Sequence, residues 1–511
     1  MEGSGMLLRD LLKGVEARLL WGEEDTIILG VAMDSRKVKT GDLFVCMEGA
    51  HCDGHEFATE ALENGARALV ICRKDESFIG MLRELCKREG IGCRAVVLAE
   101  NTRTALARIG AKWYGNPSER LKTIGITGTK GKTTTSYLIK SILENAGRRV
   151  GLIGTNEVII GRKHMHALNT TPESLLLQKY LGEMVDEGAD TVVMEVSSQA
   201  LKLHRTEGIF FDYGIFTNLS PDHISPSEHR DFQEYLECKS QLFRQCEIGL
   251  INGDDSYAEK VTAGHTCRIE TYGLDHKNQL WADQLQFIMK DGRLGVSFQV
   301  KGAMDFQAYL PLPGSFSVYN ALAAISICRH FRVRESDIQR SLLAAKVRGR
   351  IESVPTGRDY VILIDYAHNP MALGSLLESL KIYHPKRLIC LFGCGGDRPV
   401  LRRRAMGEIS GRLADFTIIT DDNPRSEDPA KIREQIKEGV EAVGGEYAVI
   451  PGRREAIAYC LSLAQKGDLI VLAGKGHETE QEIGGCFYPM DERKIVRGIL
   501  QGECIVCGCD C

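Results

Sequence analysis

Short apolar runs ending in polar or glycine-rich residues, separated by stretches with helical spacing, recur along the whole chain. The clearest is Leu121 to Ile126, followed by the turn Gly128-Thr129-Lys130-Gly131-Lys132 and by Thr133 to Ala146, whose apolar positions repeat at helical spacing until Gly147 closes the segment. That order predicts a strand, a glycine-rich turn and a helix, with backbone N–H groups and the helix N-terminus converging on one point. Downstream, Asp190 to Met194 leads into Glu195-Val196-Ser197-Ser198, Phe211 to Thr217 into Asn218-Leu219-Ser220-Pro221-Asp222-His223, and Ile248 to Ile251 into Asn252-Gly253-Asp254-Asp255. Residues just past the carboxyl ends of parallel strands line one crevice, so these polar clusters are expected on the same side as the glycine-rich turn. Between them, Asn169-Thr170-Thr171-Pro172 reads as a helix start, with Pro172 in the first turn and Thr171 as its cap.

The flanking regions repeat the design. Before residue 117, Gly41 to Met47 and Ala68 to Ile71 read as strands, Ala58 to Asn64 and Thr102 to Tyr114 as helices, and Gly115 to Ser118 as a linker. After 349, the strands Tyr360 to Ile364, Arg387 to Phe392, Phe416 to Thr420 and Asp468 to Leu472 run into Asp365-Tyr366-Ala367-His368, Gly393 to Arg398, Asp421-Asp422-Asn423-Pro424-Arg425 and Gly474-Lys475-Gly476-His477-Glu478. The predicted fold class is α/β, with a small N-terminal α/β domain over 1–117, a central P-loop ATPase-like parallel-sheet domain over 118–348 and a C-terminal Rossmann-like domain over 349–511. A chain of 511 residues is long enough for about that many cores.

Composition narrows the class. Apolar residues make up 43% and charged residues 26%, the balance of a soluble globular protein. A net charge of -5 argues against a nucleic-acid partner held by bulk charge, and no apolar run reaches the roughly 20 residues of a membrane span. Glu2, Arg9, Asp10 and Lys13 interrupt the N-terminal leucines, so no targeting segment is expected and the expected location is the cytoplasm. The 17 cysteines sit mostly in apolar runs, as reduced buried thiols do, except for Cys504, Cys507, Cys509 and Cys511 at the end, which read as a tail of reactive thiols or a soft-metal site.

The glycine-rich turn carries the chemistry. Lys132 is placed to neutralise phosphate charge and the Thr133 hydroxyl to ligate Mg²⁺, which points to a nucleoside triphosphate. The usual loop has a glycine five residues before Gly131, where this chain has Ile126, so this is a shorter form. Glu195 and His223, at the ends of candidate neighbouring strands, could reach that metal, although a His ligand is unusual for Mg²⁺ and a satisfied turn histidine is the alternative. Lys239 alone would be a solvated lysine, and Asp34-Ser35-Arg36 a capped turn. Asp422, Asn423 and Arg425 could clamp a zwitterion with Glu478 accepting from its ammonium; the alternative is a rigid turn with Arg425 capping a helix.

Asp34-Ser35-Arg36 with Gly41-Asp42-Leu43-Phe44, Gly128 to Thr133, Thr170-Thr171-Pro172, Glu195 to Ser198, Asp222-His223, Tyr235 to Lys239, Gly349-Arg350-Ile351-Glu352, Asp365 to His368, Asp422 to Arg425 and Gly474 to Glu478 together resemble, in order and wording, the motifs of the Mur ligase family. The resemblance spans all but the cysteine tail and is strongest to the branch that adds the third amino acid. It implies an ATP-dependent amide ligase of peptidoglycan precursor synthesis, acting on UDP-N-acetylmuramoyl-L-alanyl-D-glutamate through an acyl phosphate. It also implies Mg²⁺ held by Thr133, Glu195, His223 and a carboxylated Lys239, and a monomer with no nucleic-acid or membrane partner. Catalytic residues would be Lys132, Glu195, His223 and Lys239. ATP would be held by Gly128 to Thr134, Asn320, Arg350 and Asp365. Ser35, Arg36, Thr170, Thr171, Ser197 and Arg205 would hold the UDP-muramoyl-dipeptide. Arg398, Asp422, Asn423, Arg425, Gly474 and Glu478 would hold meso-diaminopimelate, since in this family Asp-Asn-Pro-Arg marks its adders. L-lysine or another diamino acid is the alternative substrate, and a folylpolyglutamate-synthase-like ligase a more remote one. Pro399 replaces an acidic residue usual after the arginine, and Pro226 to His229 departs from the commoner loop.

Overall fold

A computed structural model describes residues 5–49, 52–222, 224–225, 228–290, 293–346, 349 and 351–502. His223, Arg350 and the four tail cysteines Cys504, Cys507, Cys509 and Cys511 lie outside the described residues. The chain divides into two compact units, one of Met1–Tyr272 with Ser326–Phe331, the other of Gly273–Ile325 with Arg332–Cys511.

The first unit holds two larger sheets beside the short antiparallel pair Met6–Leu7 and Ile27–Ile28. The N-terminal one orders its strands Ala17–Gly22, Ala95–Ala99, Ala68–Ile71, Asp42–Val45 and Gly30–Ala32, parallel except for the first. The second sheet runs Lys163–His166, Glu157–Ile160, Val150–Ile153, Thr191–Glu195, Lys122–Thr127, Phe211–Phe216, Cys246–Asn252 and Arg268–Gly273. Of these strands only Glu157–Ile160 runs antiparallel to its neighbours. Thr191–Glu195 and Lys122–Thr127 are almost wholly buried along their length, as central parallel strands covered on both faces must be. Close packing dictates a small residue at Gly125, where a Cβ would come within 3.0 Å of the Phe211 ring. The helix Lys132–Asn145 turns Leu138, Ile139, Ile142 and Leu143 inward, the three-and-four spacing that covers a sheet with one apolar stripe.

In the second unit a parallel sheet orders Glu352–Val354, Val361–Asp365, Asp468–Ala473, Arg387–Phe392, Phe416–Ile419 and Tyr447–Val449, with only the first strand antiparallel. The sequence does not announce the long antiparallel strands Leu280–Lys290 and Arg293–Gly302, followed by Phe306–Leu310. Tyr383 ties them to this sheet's helical layer, its ring 5.7 Å from that of Phe287 and its hydroxyl donating to Gly295 O at 3.0 Å. A hairpin of Glu480–Ile483 and Cys486–Pro489 follows the last parallel strand. Fold class agrees with the α/β expectation.

One local expectation is overturned. The helix after Asn169 begins at Ser174, not at Pro172, and Thr171 does not cap it. Its hydroxyl instead donates to Glu195 O at 2.8 Å, a partner from a neighbouring strand that local sequence cannot reveal.

Candidate active site

Lys122–Thr127 lies between Thr191–Glu195 and Phe211–Phe216, so the turn after it is flanked by two strand ends. Glycine is required at Gly128, which has φ 145° and where a Cβ would sit 1.9 Å from Thr217 Oγ1, and Gly131 caps the helix at φ 87°. Asn218 clasps the turn from both sides: its Oδ1 accepts from Lys130 N at 2.9 Å and its Nδ2 donates to Lys130 O at 2.9 Å. Lys132 reaches back across the loop, its ammonium donating to Gly128 O at 2.7 Å and Thr129 O at 3.1 Å. Buried Thr133 and half-buried Thr134 stand in the first turn, where no side chain caps the helix N-terminus. The arrangement is one that holds an anion.

Lys239 is not the solvated lysine that isolated spacing suggests. It is 1% exposed, on the helix Phe232–Ser240, and donates to Gly128 O at 3.0 Å, the carbonyl that also receives Lys132. Burial, reinforced by the charge of Lys132, holds its ammonium well below the ordinary lysine range. Tyr235 lies one helical turn earlier: its ring centroid is 4.5 Å from Lys239 Nζ and its hydroxyl is 3.0 Å from Thr129 Oγ1. Spacing could have singled out Tyr235 only as one helical turn from Lys239.

Glu195 is 1% exposed at its strand end. Its two oxygens accept from Thr155 N at 3.0 Å and Thr155 Oγ1 at 2.9 Å, and Thr155 Oγ1 is 3.1 Å from Thr170 Oγ1. Thr155 went unread in the sequence because it follows an ordinary strand and belongs to no recognisable pattern. Thr171 also accepts from Ser197 N at 3.1 Å, and its carbonyl accepts from Arg205 Nη1 at 3.0 Å. Arg205 pairs with Glu173 at 2.5 Å. The structure therefore joins Thr170, Thr171, Glu195, Ser197 and Arg205 in one network. Away from it, Ser35 donates to Glu60 at 2.7 Å, and Arg36 is exposed with its Nε 2.9 Å from Asp34 Oδ1. Asp34 also accepts from Arg36 N at 3.2 Å, as a capped turn requires.

In the second unit, Asp422, Asn423, Arg425, Gly474 and Glu478 come together beyond the ends of Phe416–Ile419 and Asp468–Ala473, the two strands that flank Arg387–Phe392. Asn423 Nδ2 donates to Glu478 Oε2 at 3.0 Å, while the buried Lys475 ammonium donates to Asn423 Oδ1 at 2.8 Å and to the same Glu478 oxygen at 2.9 Å. Burial opposes ionisation of Glu478, but Lys475 and Asn423 outweigh it and hold the carboxyl below its ordinary value. Gly474 sits at φ 110°, a backbone region that favours glycine, and a Cβ there would approach Asp422 Oδ2 to 2.6 Å. Arg425 caps no helix. The next helix starts at Pro429 under the Asp428 side chain, and Arg425 sits at φ 52° with Nε donating to Glu482 at 3.1 Å and Nη1 to Gly396 O at 2.8 Å. Arg398 is exposed. Asp365 accepts from Ile351 N and Ala367 N, each at 2.8 Å, and Asn320 is buried.

Comparison with known proteins agrees in every region. Residues 27–114 match the Mur ligase family catalytic domain, 126–328 the Mur ligase middle domain, and 349–476 the Mur ligase glutamate ligase domain. The UDP-N-acetylmuramoyl-L-alanyl-D-glutamate--2,6-diaminopimelate ligase of Caldanaerobacter subterraneus subsp. tengcongensis is 43% identical over 97% of this chain and 99% of its own. The ligase of the same name from Alkaliphilus oremlandii is 39% identical over 98% and 100%. A solved structure of a ligase with that name superposes with TM-score 0.70 at 28% identity, covering 98% of this chain and 99% of that one. A folylpolyglutamate synthase of Mycobacterium tuberculosis shares the fold at TM-score 0.59 and 18% identity, over 73% of this chain and 92% of its own. With this likeness along the whole chain and the loop, strand-end and clamp residues standing where they do, the chain belongs to the Mur ligase family.

Proposed function

We propose that this ligase adds meso-2,6-diaminopimelate to UDP-N-acetylmuramoyl-L-alanyl-D-glutamate, using ATP to activate the γ-carboxylate of the D-glutamate. The carboxylate oxygen takes the γ-phosphoryl group, ADP leaves, the incoming amine attacks the acyl carbon, and phosphate departs with the proton passed to solvent. In this reading Gly128 to Thr134 cradle the triphosphate, and Lys132 offsets the charge of the transferring group. Asn320, Arg350 and Asp365 hold the remainder of ATP. Ser35 and Arg36 meet the uridine diphosphate end, and Thr170, Thr171, Ser197 and Arg205 the muramoyl-dipeptide. The domain divisions are proposed at about 117 and 348, a reading supported by family similarities over 27–114, 126–328 and 349–476. A cytoplasmic monomer is the proposed working form.

Oxygen donors at Thr133 and Glu195 suit Mg²⁺, and a protonated Lys239 would not. Lys239 is suited to modification, however: burial favours its neutral amine, which can add CO₂ to give a carbamate and a proton. Thr133, Glu195, His223 and carboxylated Lys239 are the proposed ligands, and the ion when bound neutralises charge along the transferring phosphoryl group.

The observation that carries the choice of amino acid is a fixed cation on the turn after Phe416–Ile419 and a fixed anion on the turn after Asp468–Ala473, linked through Asn423 and Glu482. Arg425 offers its guanidinium to a distal carboxylate, and Glu478, kept ionised by Lys475, offers an acceptor to an ammonium. Phosphate release from ATP in the presence of the UDP-muramoyl-dipeptide, compared between meso-diaminopimelate and L-lysine, tests it. Release with diaminopimelate alone is expected; equal release with lysine would overturn the assignment. Arg425→Ala should raise the KM for diaminopimelate about 10- to 100-fold, the loss of one charge-assisted contact, with little change in KM for ATP.

A further inference from the structure

We infer that Glu482 is a positioning residue for amino-acid selection: it aims the guanidinium of Arg425 at the distal carboxylate of the incoming amino acid. The inference rests on the reading of Arg425 as the carboxylate clamp. Arg425 is held in the left-handed region, φ 52°, where a non-glycine residue needs support from its surroundings. The support comes from the hairpin. Arg425 N donates to Glu482 O at 3.2 Å, Gly484 N donates to Arg425 O at 2.8 Å, and Arg425 bridges Ile483 as a strand would.

The side chain is fixed by the same residue. Glu482 Oε2 accepts from Arg425 Nε at 3.1 Å, and Gly396 O accepts from Nη1 at 2.8 Å. Two bonds to different groups lock the planar fork against rotation about its long axis. Among the described residues, Nη2 has no hydrogen-bond partner, and the side chain is 27% exposed, so that edge of the fork remains open to a ligand. A third contact couples the two clamp residues. Glu482 N donates to Asn423 Oδ1 at 3.0 Å, so one strand position sets the guanidinium with its side chain and the Asn423 amide with its backbone. Through Asn423 it also bears on Glu478, which accepts from Asn423 Nδ2 at 3.0 Å.

The charge of Glu482 is not what the carboxylate ligand wants. A second anion beside Arg425 weakens its pull on a carboxylate, so the benefit must lie in geometry. Glu482→Gln keeps an oxygen to accept from Nε, and Glu482→Ala removes it while leaving the backbone bond to Asn423. The test is steady-state ligation by the full-length enzyme with meso-diaminopimelate and with L-lysine, for wild type, Glu482→Ala, Glu482→Gln and Arg425→Ala, with thermal melts of each. Glu482→Ala is expected to raise KM for diaminopimelate about tenfold, to leave KM for ATP within about twofold, and to narrow the preference over lysine; Glu482→Gln should stay within about threefold of wild type. An unchanged KM for diaminopimelate in Glu482→Ala beside a raised one in Arg425→Ala overturns the role of Glu482 alone. An unchanged KM in Arg425→Ala overturns the clamp itself. Equal losses for ATP and diaminopimelate in both Glu482 variants, with lowered melting temperatures, would reduce Glu482 to a fold-stabilising residue and also overturn the inference.

Discussion

Lys239 shows how far a single residue's environment departs from its sequence neighbourhood. Its helix reads as an exposed amphipathic segment, yet the ammonium is enclosed beside Lys132 at a shared carbonyl. Between the folded value and the ordinary 10.5, the unfolded chain holds a proton that the folded chain has released, so this group makes stability rise with pH across that window, with the penalty complete below it. Lys239→Met should remove that slope in CO₂-free buffer; urea unfolding at a series of pH values measures it, and an unchanged slope would contradict the burial argument. Ligation by Lys239→Ala is expected to vanish with the fold intact, and full turnover in that variant would end the carbamate proposal. Gly128→Ala should weaken ATP binding at least about tenfold in titration calorimetry, because the added carbon meets Thr217 Oγ1 in a backbone region costly for alanine. The loop residues were legible because glycine, lysine and threonine each have a local reason to be there. Thr155 was not, and neither was the contact of Tyr235 with Thr129, since the partners are distant in sequence.

At the scale of elements, the parallel strands that were read lie within a few residues of their expected bounds, as apolar runs closed by turn chemistry mark them plainly. Gly30–Ala32, Ala95–Ala99, Val150–Ile153, Arg268–Gly273 and Tyr447–Val449 escaped, and so did two other kinds of element. The strands Leu280–Lys290 and Arg293–Gly302 alternate polar and apolar positions over lengths that resemble no short buried strand. The hairpin Glu480–Ile483 with Cys486–Pro489 did carry a signal: Gly484-Gly485 between them, at φ 58° and 79°, is the turn that a two-residue hairpin loop demands. The last helix, Glu492–Leu500, is tied to its neighbour by a buried pair, with Arg453 Nε and Nη2 both 2.9 Å from Glu492 Oε1 and Arg453 Nη2 donating to Ala473 O at 2.8 Å. Glu492→Ala would leave that buried guanidinium with only the longer contact to Asp422, 3.8 Å from Nη1, and should lower stability by about 3 kcal/mol, read from denaturant midpoints. A loss below about 1 kcal/mol would mean that the helix repacks around Arg453.

For the whole molecule, the sequence conveyed an ordered series of α/β regions and which loops would carry chemistry. It did not convey the antiparallel strands after Tyr272, whose Phe287 and Leu294 pack into a core of the second unit. Proposed UDP-substrate residues lie in the first unit and diaminopimelate residues in the second. Each ligand near 100 times its Kd should stabilise the protein by about 2.7 kcal/mol, read from thermal melts. Loss of the diaminopimelate shift alone is expected in Arg425→Ala, and loss of the UDP-substrate shift as well would contradict this division of labour. The hairpin that holds Arg425 also has a meaning in time. Glu482 lies 57 residues beyond the arginine it fixes, so a chain leaving the ribosome completes its phosphate loop early and its amino-acid clamp only near the end of synthesis. A nascent chain halted before the hairpin would carry the loop for the nucleotide but no means of choosing what to ligate.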